Sequence, residues 1–105
     1  MAVIEATTEN FDQLIQTEYA MVDFYGDHCG ACMYTAPYLR KVADDMAFIQ
    51  FIKVNTSTYP ALAKRFDIKS LPTFLYFRDG EIVHTSIGGM DEDLIHKELA
   101  QVLYR

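Results

Sequence analysis

The chain has two cysteines in 105 residues, Cys29 and Cys32, separated by Gly30 and Ala31. Two thiols at this spacing can close a disulfide across one helical turn, or open to a dithiol, while the surrounding domain stays folded. The chemistry to expect is a reversible two-electron switch. A thiol is a good nucleophile only as a thiolate, and a helix N-terminus stabilises that anion through its unpaired amides and the positive end of its dipole. The spacing of Ala36, Leu39, Ala43 and Met46 predicts a helix from Gly30 onward, with Cys29 at its start and Cys32 in its first turn. In such an arrangement Cys29 attacks a substrate disulfide, and Cys32 then attacks Cys29 to release the reduced substrate. Cys32 needs a proton acceptor for this, and Asp23 is the candidate. It lies inside the apolar run Ala20-Met21-Val22-Asp23-Phe24-Tyr25-Gly26, which reads as a buried strand. A poorly solvated carboxyl there has its pKa pushed toward values useful for a general base; the plainer alternative is a side chain reaching solvent or a backbone amide. Lys53, in the next predicted strand, is placed either to tune Asp23 by its charge or to snorkel to the surface.

The elements that must position these groups follow from periodicity. Val3-Ile4 suits a short edge strand within Ala2 to Ala6. Thr7 to Asn10 supplies helix caps, and Phe11, Leu14 and Ile15 predict a helix running to about Glu18. After the cysteine-bearing helix, in which Pro37 predicts a kink, come a strand over Phe48 to Val54 and a short helix after Pro60. Thr73 to Phe77 and Glu81 to Ile87 flank Arg78-Asp79-Gly80, a hairpin signal. Asp91 to Tyr104 closes the chain as a helix capped by Asp91, with Leu94, Ile95, Leu99, Val102 and Leu103 on one stripe. Tyr34 and Tyr38, four apart, suit half-buried packing better than a partner surface.

Length points to a single domain over 1–105, and a half-hydrophobic composition argues against disorder. The formal charge of −6, from 9 Lys and Arg against 15 Asp and Glu, includes no basic run suited to a phosphate backbone, so no nucleic-acid partner is expected. No apolar run approaches the roughly 18 residues of a membrane span, and no export signal opens the chain, although a removed one would escape this argument. A cytoplasmic protein is the expectation, and there a close cysteine pair points to catalysis or metal binding before a structural staple. A metal or iron–sulfur site is the competing chemistry. Cys29 and Cys32 supply half of a four-ligand set, but His28, His84 and His96 fall in different elements, so no metal site is expected in the monomer.

The residues resemble the thioredoxins along nearly the whole chain. Val22-Asp23-Phe24-Tyr25 is similar to the family's strand with its buried aspartate. Cys29-Gly30-Ala31-Cys32 is similar to its Cys-Gly-Pro-Cys motif with Ala31 for proline. Ala36-Pro37 matches the kink proline and Lys53-Val54-Asn55 the lysine-bearing strand, Leu71-Pro72-Thr73 resembles the cis-proline loop, and Gly88-Gly89 falls where a glycine borders the substrate groove. The resemblance implies an α/β thioredoxin fold: a mixed five-stranded sheet, three strands parallel and the C-terminal hairpin antiparallel, with four flanking helices. It implies a protein disulfide oxidoreductase, a monomer without cofactor, served by a thioredoxin reductase-type electron donor and acting on disulfide-containing proteins. His28, Leu71, Pro72 and Gly88 would border the groove, with Pro72 offering the preceding backbone to an extended substrate; read without the resemblance, Pro72 is an ordinary turn proline. Two positions depart from the family. The usual tryptophan before the first cysteine is His28, either a charge that stabilises the Cys29 thiolate or a plain surface histidine. With Ala31 replacing the motif's proline, the couple is expected to be more oxidising, which gives an oxidant or isomerase role some weight.

Overall fold

Residues alternate between the two faces of every central strand, and each face is apolar enough to need a helical cover. The computed structural model describes residues 2–104; Met1 and Arg105, the ends of the expected single domain, lie outside the described residues. In chain order the elements are β1 (Val3–Glu5), α1 (Phe11–Leu14), β2 (Tyr19–Tyr25), α2 (Gly30–Asp45), β3 (Gln50–Asn55), α3 (Pro60–Arg65), β4 (Thr73–Arg78), β5 (Glu81–Ile87) and α4 (Glu92–Leu103). The sheet runs β1-β3-β2-β4-β5, with β1, β3 and β2 parallel and β4 and β5 antiparallel to their neighbours. This is the mixed sheet of the thioredoxin fold.

One face carries Met21, Phe51, Phe74 and Tyr76 and packs under Leu39, Val42 and Ala43 of α2 and Ile95, Leu99 and Val102 of α4. The opposite face carries Ala20, Val22, Phe24, Ile52, Val54, Leu75 and Phe77 and packs against Phe11 and Ile15 from the α1 segment and Leu62 of α3. Asp79 and Gly80 both have positive φ (50° and 82°), as the two central residues of a type I′ turn require, and join β4 to β5.

Three local expectations are corrected. The first helix ends at Leu14, well short of Glu18. The Gln16 amide bonds to the Gln13 carbonyl and the Thr17 amide to that of Ile15, so tight turns replace the helical ladder and bring the chain round into β2. The third strand starts at Gln50, not Phe48, because the Ile49 amide closes a turn on the Met46 carbonyl, leaving Phe48 60 % exposed. Leu94 lies off the buried stripe of α4. The Asp91 side chain caps its amide at 2.9 Å, and Ile95 faces inward in one row with Leu99 and Val102, which leaves Leu94, about 100° round the helix, at the surface. Tyr34 and Tyr38 stack 5.4 Å apart but divide in role: Tyr38 packs against the core, and Tyr34 is exposed.

Candidate active site

The cysteine pair sits where β2 gives way to α2. Cys29 is the N-cap of α2, in extended conformation, and Cys32 lies in the first turn, with Cα atoms 5.2 Å apart and the two sulfurs joined in a disulfide. The Cys32 amide donates to Cys29 Sγ at 3.2 Å, so the sulfur fills the place that a hydroxyl or carboxylate holds at most helix starts. The cysteines differ in access. Cys29 is half-buried, whereas Cys32 is only 6 % exposed. His28, exposed and with φ of 58°, turns the chain into the cap.

Three contacts with distant segments complete the site. A Cβ on Gly26 would lie 2.7 Å from Leu71 Cδ1, so the Leu71 side chain packs directly on the end of β2. The Leu71–Pro72 peptide is cis, Pro72 is buried, and its carbonyl accepts the Gly88 amide at 2.9 Å, extending the β4–β5 ladder by one rung. Gly89 lies against Ala31: a Cβ there would meet the Ala31 carbonyl oxygen at 3.1 Å and Thr35 Oγ1 at 3.2 Å. Thr35 itself is fully buried. Its hydroxyl donates to the Ala31 carbonyl at 2.9 Å and accepts from the Met90 amide at 2.9 Å, which ties the start of α2 to the loop after β5. The structure thus gathers Cys29, Ala31, Cys32, Leu71, Pro72 and Gly88, with Met33, Tyr34 and Ile87 adding exposed apolar surface.

Asp23, which lines one cavity with Cys32, is 5 % exposed, and its Oδ1 is the buried side-chain polar atom without a hydrogen-bond partner among the described residues. Burial pushes its carboxyl up to about 7; the Lys53 charge pulls the other way and Glu5 adds to the rise. Lys53 is its direct neighbour in the β2–β3 register, yet the Lys53 ammonium pairs with Glu5 at 3.3 Å. Asp23, His28, Cys32 and Lys53 share the lining of a cavity of about 280 Å³, so solvent can stand between the carboxyl and the deeper sulfur. The arrangement can hold a thiolate at a helix start, move a proton at a buried acid beside the second sulfur, and present an apolar rim to a partner.

Sequence reasoning missed Glu5 and Thr35. Glu5 reaches the site only through the β1–β3 register, and a single threonine inside a helix carries no signal of its own. Among the described residues no three His, Cys, Asp or Glu side chains gather into a group suited to a metal ion, and no helix is long and apolar enough to cross a membrane.

The thioredoxin family model matches residues 2–101. Thioredoxin of Staphylococcus haemolyticus is 35 % identical over 104 residues, covering 98 % of this chain and 96 % of the relative. Chloroplastic thioredoxin Y of rice is 32 % identical over 92 % of this chain and 60 % of its own length. The crystal structure of thioredoxin f2 from Chlamydomonas reinhardtii superposes with a TM-score of 0.87 at 26 % identity, over 98 % of each chain. Likeness in sequence and in backbone extends over nearly the whole chain, the cysteine-bearing strand-to-helix junction included, and this chain belongs to the thioredoxin family of protein disulfide oxidoreductases.

Proposed function

We propose that this single domain acts as a disulfide reductase in the cytoplasm, as a monomer, with Cys29 attacking, Cys32 resolving and Asp23 carrying the proton. The Cys29 thiolate attacks one sulfur of a partner's disulfide; a Cys29–partner bond forms, and the other partner sulfur leaves and takes up a proton. Cys32 then gives its proton to Asp23 and attacks Cys29 Sγ. The partner departs with both sulfurs reduced, and its two electrons have come from the Cys29/Cys32 dithiol, which a thioredoxin reductase-type donor restores. His28 and Ala31 tune the couple, and Leu71, Pro72 and Gly88, with His28, border the groove that receives the partner.

The difference in access carries this reading: a half-buried sulfur at a helix cap, and a buried one that shares a cavity with a carboxyl whose Oδ1 has no hydrogen-bond partner among the described residues. Cys29 is the sulfur that a bulky disulfide can reach, and Cys32 is the one that lines the cavity with Asp23. The test is a single-turnover assay on an insulin-type disulfide. Cys32→Ser should accumulate the mixed disulfide on Cys29 and lose multiple turnover, and Asp23→Asn should slow release about 100-fold while sparing the first attack, the lower end of what general base catalysis contributes. Equal slowing of both steps in Asp23→Asn would make Asp23 structural, and an adduct trapped on Cys32 in Cys29→Ser would reverse the roles. A potential well above the thioredoxin range, together with failure of a thioredoxin reductase to recycle the protein, would favour the oxidant reading that His28 and Ala31 allow.

A further inference from the structure

Glu5, Lys53 and Asp23 occupy one rung across three parallel strands, Glu5 opposite Lys53 and Lys53 opposite Asp23, so all three side chains leave the same face of the sheet. Within this row the cation is not shared equally. Lys53 Nζ lies 3.3 Å from Glu5 Oε2, the Tyr25 hydroxyl donates to the same oxygen at 2.7 Å, and the ammonium stands 5.5 Å from the Tyr25 ring centroid. Two contacts, the ion pair to Glu5 and the face of the Tyr25 ring, therefore hold the lysine head, with Glu5 fixed in turn by the Tyr25 hydroxyl, while Asp23 Oδ1 has no hydrogen-bond partner among the described residues.

We propose that Glu5 is a positioning residue of this active site: it draws the Lys53 ammonium toward β1 and Tyr25 and so keeps the Asp23 carboxyl free of a counter-ion. Resting on the reading of Asp23 as the proton acceptor, this assigns to an edge strand, 24 residues before the first cysteine, control over when that acceptor can work. A lysine bonded directly to Asp23 would hold it as a carboxylate, a weaker base toward Cys32.

The other groups around Asp23 do not replace this control. From α2, Arg40 and Asp44 line the cavity of about 330 Å³ that Asp23 and Lys53 share with β1, and their charges oppose one another. From the β2–α2 loop, Asp27 and His28 line the second cavity and are exposed to solvent. The Tyr76 hydroxyl of β4 is engaged with Ser86 at 2.8 Å, and burial pushes its pKa up, so it stays neutral.

The experiment follows the Asp23 side-chain carboxyl by ¹³C NMR against pH in the full chain. Glu5→Gln keeps an acceptor for Tyr25 but removes the charge, and should lower the Asp23 midpoint by about one pH unit, the small end of the effect of a nearby opposite charge. Lys53→Met should raise the midpoint, and in that background Glu5→Gln should have less than half its effect. An unmoved midpoint in Glu5→Gln, or a shift as large without Lys53 as with it, would overturn the proposal. The release rate of Asp23→Asn is measured alongside. Release as fast as in the unmodified chain would remove the proton-acceptor reading and Glu5's part in the reaction with it, whereas an unmoved carboxyl midpoint with slowed release would remove Glu5 alone.

Discussion

The two faces of the central sheet are made by the same strands and differ by one residue in register, yet they do different work. On the face toward α1 and α3, β2, β3 and β4 contribute Ala20, Val22, Phe24, Ile52, Val54, Leu75 and Phe77, all apolar and buried. Phe11 and Phe66 close over them, with ring centroids of 5.3 Å between the pair and 6.4 Å and 5.7 Å from each to Phe24. The face toward α2 and α4 places Met21, Asp23 and Tyr25 on β2 and Phe51 and Lys53 on β3, so its apolar packing gives way to ionisable groups as the strands approach the cysteines. The first face stabilises the fold. The second gives up part of that stability to hold a buried carboxyl that shares a cavity with Cys32.

If the division is sound, substitutions on the two faces should separate stability from reactivity. Phe24→Ala, on the apolar face, should cost about 3–5 kcal/mol of unfolding free energy, from lost burial and the cavity left behind, with the pH dependence of disulfide release unchanged in the folded fraction. Denaturant unfolding beside single-turnover kinetics checks this, and a moved pH profile would break the comparison. Asp23→Asn should have the opposite sign. The unfolded carboxyl titrates near 3.9, the folded one at about 7. Between those values the folded state holds a proton that the unfolded state has released, so the native protein loses stability as pH rises through this window, by at most about 4 kcal/mol. The asparagine variant cannot ionise; it should therefore be more stable than the parent by up to that amount at about pH 8 and nearly equal to it at about pH 4. A gain independent of pH would show that the carboxyl is not the source. The smallest effect is expected at His28, at the open end of the polar face. His28→Ala should raise the midpoint for alkylation of reduced Cys29 by a few tenths of a pH unit, the scale of one exposed charge pair, with unfolding free energy within about 0.5 kcal/mol of the parent. An unchanged midpoint would remove the electrostatic role.

Much of this division was legible in the chain itself. The near-continuous apolar run Ala20 to Tyr25 and the hairpin signal after Phe77 place the strands, the change of period after Gly30 places the helix, and Asp23 stands out because a carboxylate inside an apolar run needs a reason. What was hidden depended on pairing across long separations or on phase. Glu5 looks like an ordinary edge-strand residue until parallel pairing sets it beside Lys53. The helix from Phe11 looked longer because Ile15 continues its apolar spacing, but that residue is buried, 4 % exposed, in a turn. Leu94 and Ile95 are equally apolar neighbours, but only Ile95 stands in the i, i+4, i+7 row with Leu99 and Val102 that packs on the sheet.

The buried hydroxyl of Thr35 couples two parts of the site that the chain keeps more than fifty residues apart, since Ala31 and Met90 meet on that one oxygen atom. In mechanical terms it is a pin joint between the loop after β5 and the first turn of α2. A displacement of Gly89 or Met90 therefore loads the backbone between the two cysteines, through this oxygen and through the packing of Gly89 on Ala31.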